Sequence, residues 1–228
     1  MQTSSLIVYG HPGSQPARAV LMYLALLGEK YELKLIDFLN GENRSEEFAK
    51  INPIKLIPAI QEGDYFLAES QAILVYLALT RKDTKYYPSD PKALGKVHMY
   101  LSWHHSNTRA CVDLYFVTCY KKAFPKKTIT ATVDEGLQKM EDSSRRFEEI
   151  FLKNSKFVAG DSLTIADLMA FTEYQQVAIT TGYDFGKNFP LISKWMQEVS
   201  SIPELKDFDK APKEFLEKFQ DIMAKPSL

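Results

Sequence analysis

Cysteine is nearly missing from this chain: 228 residues hold only Cys111 and Cys119. A disulfide-built scaffold is excluded, and a reducing cytoplasm is the expected setting. The two thiols are eight positions apart and no Cys-x-x-Cys occurs, so no redox pair is expected. Neither sign of charge is in excess, with 28 Lys+Arg against 29 Asp+Glu and a formal net charge of -1. A nucleic-acid partner, which calls for a basic surplus, is not expected. Long apolar runs are lacking too. The strongest, Ala19 to Gly28, falls far short of the roughly 20 residues that a bilayer requires, so no membrane span is expected. Met1 to Gly13 shows no basic stretch followed by an apolar core, and no signal peptide is expected. There is no phosphate-binding glycine loop. His104 and His105 point about 100° apart on a helix, while His98 and His105 lie two turns apart, so no metal site is expected. What remains is 45% hydrophobic and 25% charged, an ordinary globular mixture.

The first 80 residues alternate strand-like with helix-like text. Leu6 to Tyr9 reads as a buried strand, broken by Gly10-His11-Pro12-Gly13. Pro16 to Leu27 reads as a helix with Pro16 in its first turn and Gly28 at its end. Tyr31 to Asp37 is an imperfect strand, and Ser45-Glu46-Glu47 opens a short helix that Asn52-Pro53 stops. Leu56 to Ile60 and Tyr65 to Leu67 flank Glu62-Gly63-Asp64, a hairpin signal. Ser70 opens an apolar helix to Leu79. The order β-α-β-α-β-β-α predicts a parallel pair with an antiparallel hairpin at the edge.

The text changes after that. Residues 83–91 are polar and turn-rich and read as a linker between a first domain, 1–82, and a second, 92–228. The second shows almost no strand signal. Ala93 to Tyr120 reads as one long helix, followed by Thr130 to Lys153, Thr164 to Thr181, Leu191 to Ser200 and Lys213 to Ala224. The fold class is α+β: a small α/β domain joined to an all-helical one.

Four local features bear on chemistry. Pro12-Gly13-Ser14-Gln15-Pro16-Ala17-Arg18 joins a strand to a helix, where free N–H groups and the macrodipole favour an anion. The Ser14 hydroxyl either caps the helix or donates to a bound thiolate. Ile57-Pro58 enters a strand, which needs a special turn. Glu69-Ser70 precedes a helix: Ser70 caps it or holds a carboxylate, and Glu69 is placed to hold an amine. Thr164 and Asp167 have capping-box spacing, which reads as structural, and losing Asp167 is expected to cost about 1 kcal/mol or more. Tyr115, Phe116 and Tyr120 follow helical spacing, as core residues or as the lining of a greasy pocket.

Taken together, Ser14-Gln15-Pro16-Ala17-Arg18-Ala19-Val20, Asn52-Pro53 with Ile57-Pro58-Ala59, Glu69-Ser70 and the Gly160 to Asp167 segment resemble a cytosolic glutathione transferase of the serine type, closest to theta and next to delta. The resemblance implies a thioredoxin-like first domain that binds glutathione and an all-α second domain that shapes the electrophile pocket. It also implies a cis bond at Ile57-Pro58. Ser14 would hydrogen-bond the glutathione sulfur, Ile57 would pair its backbone with the cysteinyl part, and Glu69 and Ser70 would hold the γ-glutamyl end. At the glycine end Asn43 and Leu56 occupy positions where theta relatives often carry a histidine and a basic residue. Lys55 stands one place earlier as a substitute, and Arg109 matches a basic position near the site. The electrophile pocket would involve His11, Tyr115, Phe116, Tyr120 and Phe215, with the last helix folding over it.

The reaction so implied is attack of glutathione thiolate on a small hydrophobic electrophile, with peroxide reduction as a compatible side activity and no cofactor. A free thiol has a pKa near 8.5, and lowering it by about two units takes roughly 2.7 kcal/mol. One hydrogen bond to a charged group supplies about 1.5–3 kcal/mol, and a helix start adds about 0.3–1 kcal/mol. No general base is required. The alternative is a non-catalytic module of the same fold, favoured by the departure at Leu56. Tyr9, at the strand end, is the next hydroxyl in line should Ser14 not serve. The resemblance also implies a homodimer.

Overall fold

The computed structural model describes residues 5–109, 111, 114 and 132–224. Four strands form one sheet in the order β2-β1-β3-β4. β1 (Leu6–Gly10) runs parallel to β2 (Tyr31–Leu35), with Leu6 opposite Tyr31. Their crossover is α1 (Gln15–Leu27), which Gly28 ends in the left-handed conformation at φ 62°. β3 (Ala59–Glu62) pairs antiparallel with β1 and with β4 (Tyr65–Ala68). Gly63, at φ 66°, makes the intervening turn. α2 (Glu46–Ala49) starts where Ser45 accepts a hydrogen bond from the Phe48 N–H, and α3 (Ser70–Thr80) follows the hairpin. The mixed sheet read from the sequence is therefore present.

The remainder is helical: α4 (Pro91–Ser106), α5 (Val133–Phe147, continued by a wider turn to Leu152), α6 (Ile165–Thr181), α7 (Phe185–Asn188), α8 (Pro190–Ser200) and α9 (Lys210–Ala224). The expectation of one helix from Ala93 to Tyr120 is corrected. α4 stops at Ser106, and Asn107 leaves helical geometry at φ -131°, ψ -73°. The Asn107 side chain donates to the Trp103 carbonyl (3.0 Å), competing with the backbone ladder. Beyond that break Arg109 pairs with Glu173. Helical conformation resumes at Cys111 and Leu114. Tyr115, Phe116 and Tyr120 lie outside the described residues.

α6 is buried on nearly every side and is the axis of the helical part. α1 packs on it through a shared core that includes Val20, Leu24, Met169 and Phe171. Arg18, fully buried, joins the two halves. Its guanidinium donates to the Pro12 carbonyl (2.8 Å), Gln175 Oε1 (2.9 Å), the Thr172 carbonyl (3.1 Å) and Gln176 Oε1 (3.0 Å). Hydrogen bonds to a charged donor contribute about 1.5–3 kcal/mol each, and here they also offset the cost of burying the cation. The loop that carries Ser14 is thereby fastened to α6. Among the described residues no helix is long and apolar enough to cross a membrane, and no cluster of metal-ligating side chains is found.

Candidate active site

A cleft of about 290 Å³ opens between the start of α1, the start of α3, the end of α4, α6 and α9. Ser14 stands on its wall as the residue before α1, in extended conformation at φ -84°, ψ 126°. Its N–H donates to the His11 carbonyl (2.9 Å) and its carbonyl accepts from the Arg18 N–H (2.8 Å). The hydroxyl makes no capping hydrogen bond. Capping and thiolate binding were both open for this side chain on sequence grounds; the cap is not made. The backbone holds Ser14 at the positive end of α1 while leaving its oxygen unspent on the helix.

Tyr9 is placed differently. It is buried in a small cluster with Ile36, Phe48 and Ala59, and its hydroxyl donates to Gln61 Oε1 (2.7 Å). It is not part of the cleft wall.

The opposite wall carries the peptide-facing residues. The Ile57–Pro58 bond is cis. Ile57 lines the cleft, and among the described residues neither its N–H nor its C=O enters a backbone hydrogen bond. The cis bond is the one that the resemblance implied. Glu69 and Ser70 line the cleft at the start of α3. The cap position belongs to Glu69, not Ser70 as the sequence was read, because Ser70 already lies inside the first turn. Glu69 sits at φ 68°, a left-handed geometry that costs a non-glycine residue energy and that functional sites tolerate.

At the far end Asn43 and Leu56 line the cleft, and Lys55 does not. The Lys55 ammonium turns away to Glu46 Oε1 (2.6 Å) and the Arg44 carbonyl (3.2 Å). This corrects the expectation that Lys55 substitutes for a basic residue at position 56. Lys55 is in the left-handed region at φ 60°, which points its stem toward α2, where an acid waits. Asn43 is buried, donates to the Lys55 carbonyl (2.7 Å), and keeps its Oδ1 buried without a hydrogen-bond partner. Asn52 holds the same loop by donating to the Leu56 carbonyl (2.7 Å).

The floor was not legible in advance. Glu173 of α6 is 2% exposed and faces Arg109 Nη1 at 2.5 Å and Gln15 Nε2 at 3.4 Å. His104 Nε2 lies 3.8 Å from the same carboxylate. Burial, then the nearby Arg109, pushes His104 down to about 3, so it is neutral at pH 7. Its Nδ1 faces the Tyr100 hydroxyl at 3.1 Å.

Phe215 of α9 closes the top. It is buried, stacks on Phe38 with ring centres 5.5 Å apart, and both rings line the cleft. His11 is not on the wall; its ring backs Phe38 at 5.6 Å and Phe215 at 5.7 Å while accepting from the Gly13 N–H at 3.0 Å. The covering by the last helix, expected from the resemblance, is thus seen at Phe215. Gly13 is where α9 comes closest: a Cβ there would meet the Phe215 ring at 2.7 Å. Gly13→Ala should loosen α9 and cost about 1–3 kcal/mol through overpacking. Limited proteolysis checks this: cleavage within residues 210–224 should quicken, and an unchanged rate would mean that Phe215 swings aside without cost.

Comparison with known proteins bears on this arrangement. The family model described as "Glutathione S-transferase, N-terminal domain" matches residues 4–79, and "Glutathione S-transferase, C-terminal domain" matches residues 110–203. The chain is 33% identical over 198 residues to glutathione S-transferase theta-1 of Homo sapiens, covering 82% of this chain and 79% of the relative. It is 31% identical over 195 residues to glutathione S-transferase theta-3 of Mus musculus, with the same shares covered. The crystal structure of human glutathione transferase theta-2, in complex with glutathione and an unknown ligand, superposes with a TM-score of 0.87 at 29% identity, covering 97% of this chain and 93% of that one.

Proposed function

The chain belongs to the glutathione S-transferase family, and from that premise we propose that its cleft binds glutathione and joins the sulfur to a small hydrophobic electrophile, with Ser14 as the catalytic residue. The observation that carries the reading is the Ser14 hydroxyl on the cleft wall at the start of α1, not used as a cap. The hydroxyl donates to the sulfur and the helix start adds its field, so the thiolate is favoured over the thiol. The thiolate then attacks the electrophilic carbon, a carbon–sulfur bond forms, and the leaving group departs with the electron pair. No proton has to be taken by the protein in that step.

Binding follows from the same walls. Ile57 pairs its backbone with the cysteinyl part, and Glu69 and Ser70 hold the amine and carboxylate of the γ-glutamyl end. With Lys55 turned away, the glycine end is left to Asn43, whose Nδ2 has a second hydrogen, beyond the one donated to the Lys55 carbonyl, to offer the glycine carboxylate. Arg109 lines the same cleft and is a further residue to hold glutathione in this reading. A theta-type relative solved with glutathione supports the transferase reading over a non-catalytic module. Titrating glutathione by calorimetry and assaying conjugation of a nitroaromatic chloride test both parts: binding with turnover is expected, and binding without turnover across a broad panel would favour the module.

A homodimer completes the reading. Tyr65 and Phe66 on β4, Leu79 on α3 and Met99 on α4 are exposed apolar side chains, with Leu79 63% and Met99 54% accessible. A second copy would cover them. Sedimentation at micromolar concentration should give twice the 26.1 kDa chain mass; a single-chain mass would contradict it.

A further inference from the structure

The two ends of the cleft differ in chemistry. At one end Glu69 and the start of α3 bring a carboxylate together with free N–H groups, which suits the amine and carboxylate of a γ-glutamyl group. Ala59 of β3 pairs with Ala68 of β4, so Ile57 and Ser70 flank the open end of that hairpin. The loop leading into Ile57 forms the other end, which is left for the glycine carboxylate. That end is polar but carries no cation on its wall. The Lys55 ammonium is bonded to Glu46 Oε1 (2.6 Å) and to the Arg44 carbonyl (3.2 Å), and Lys55 is not on the wall. Asn52 serves the loop itself: its Oδ1 accepts from the Ile54 N–H (3.0 Å) and its Nδ2 donates to the Leu56 carbonyl (2.7 Å). Asn43 gives one Nδ2 hydrogen to the Lys55 carbonyl and has the second left. Its Oδ1 is buried without a donor, and a carboxylate has no hydrogen to give it. Leu56, 56% exposed, adds no polar side-chain atom. Arg109, the one Lys or Arg among the described residues of the wall, stands on the floor, 2.5 Å from Glu173.

We propose that the cleft takes the glycine end of glutathione by hydrogen bonding without a counter-charge, that derivatives with a neutral glycine end are therefore accepted nearly as well, and that Leu56 is the position that sets this tolerance. This rests on the function proposed above and names the co-substrate class of the same site. A carboxamide has the shape of a carboxylate. Its carbonyl accepts the Asn43 Nδ2 hydrogen as a carboxylate oxygen does, and its NH2 is a donor, the kind of partner that Asn43 Oδ1 lacks. Removing the ligand's charge leaves no cation stranded at this end, and it also lowers the cost of taking the ligand out of water. A basic residue there would act the other way. A hydrogen bond between a cation and the carboxylate is worth about tenfold or more in affinity, all of it lost with the neutral ligand.

The experiment is a calorimetric titration of the full-length protein with glutathione and with glutathione amide, in which a carboxamide replaces the glycine carboxylate. The quantity read is the ratio of the two dissociation constants. In the parent the amide should bind no more than about threefold more weakly than glutathione. A larger ratio overturns the proposal, since a cation then serves the carboxylate. Leu56→Arg supplies the missing charge at an exposed position. It should raise the ratio to about tenfold or more, by tightening glutathione and not the amide. A folded Leu56→Arg protein with the parent's ratio overturns the proposal, because position 56 then does not face the glycine end. Lys55→Met should keep the parent's ratio; a fall would mean that the Lys55 ammonium swings to the ligand, and overturns the proposal equally. Should Leu56→Arg fail to fold, the parent and Lys55→Met decide. A parent that binds neither ligand removes this inference together with the proposed function. A parent that binds and conjugates glutathione but rejects the amide removes this inference alone.

Discussion

Asp167→Ala is expected to lower stability by about 3–5 kcal/mol while leaving the chemistry of folded molecules intact. The carboxylate is fully buried. It accepts from the Val158 N–H (2.8 Å), the Thr164 N–H (2.8 Å), the Thr164 hydroxyl (3.1 Å) and Trp195 Nε1 (2.9 Å). Alanine strands these donors away from water, at about 1–3 kcal/mol for each one left unmet. From sequence the capping box supports only a lower bound of about 1 kcal/mol, because Val158 and Trp195 are not within sight of local spacing. For a chain of this size each kcal/mol shifts the thermal midpoint by roughly 2–4 °C. Equal midpoints in variant and parent would reject the expectation.

The same group gives the protein a pH dependence of definite sign. Burial pushes Asp167 up to about 6, against the pull of its four donors, from an ordinary value of 3.8. The folded state thus holds the proton more tightly than the unfolded chain. The associated stability is fully present below about pH 4 and is lost as pH rises through about 6. Two pKa units correspond to roughly 3 kcal/mol. The stability of the parent minus that of Asp167→Asn, by denaturant titration, should shrink by up to that amount between pH 4 and pH 7. A difference that grows instead would show that the donors, not burial, dominate.

Ser14→Ala is expected to lower turnover by at least tenfold and to raise the ionisation midpoint of bound glutathione by about one to two units. The basis is loss of one hydrogen bond to a charged sulfur, about 1.5–3 kcal/mol, which is felt where the anion forms. Glutathione affinity should change little, because Ile57, Glu69 and Ser70 stand on other elements. Initial rates at saturating glutathione and the thiolate absorbance together check it. Since Tyr9 donates to Gln61 from within the sheet cluster, it is not placed to take over.

The first domain was legible because its signals are local. Pro16 and Gly28 bracket α1, Gly63 turns the hairpin, and Ser14 falls where strand gives way to helix. Among the described residues the longer helices after residue 90 were legible from periodicity, apart from the break at Asn107, which depends on one amide reaching back to Trp103, while the short α7 was not read. The cleft floor was not legible. Glu173 and Gln15 are 158 positions apart, and the text around Glu173 reads only as an apolar helix. Lys55 was misread for the opposite reason: it has the right charge in nearly the right place, but a long side chain follows its backbone angle and its nearest acid. Phe38 and Phe215 found each other through tertiary packing that no spacing encodes.

The Arg18 clasp has a bearing on how such chains can be recombined. Its acceptors on α6 are Gln175, Gln176 and the Thr172 carbonyl, whereas its acceptor beside Ser14 is the Pro12 carbonyl. A chimera that grafts this thioredoxin-like half onto a foreign helical half therefore inherits a guanidinium in search of two amides. Transplanting Gln175 and Gln176 with it is the smallest exchange that keeps the Ser14 loop seated.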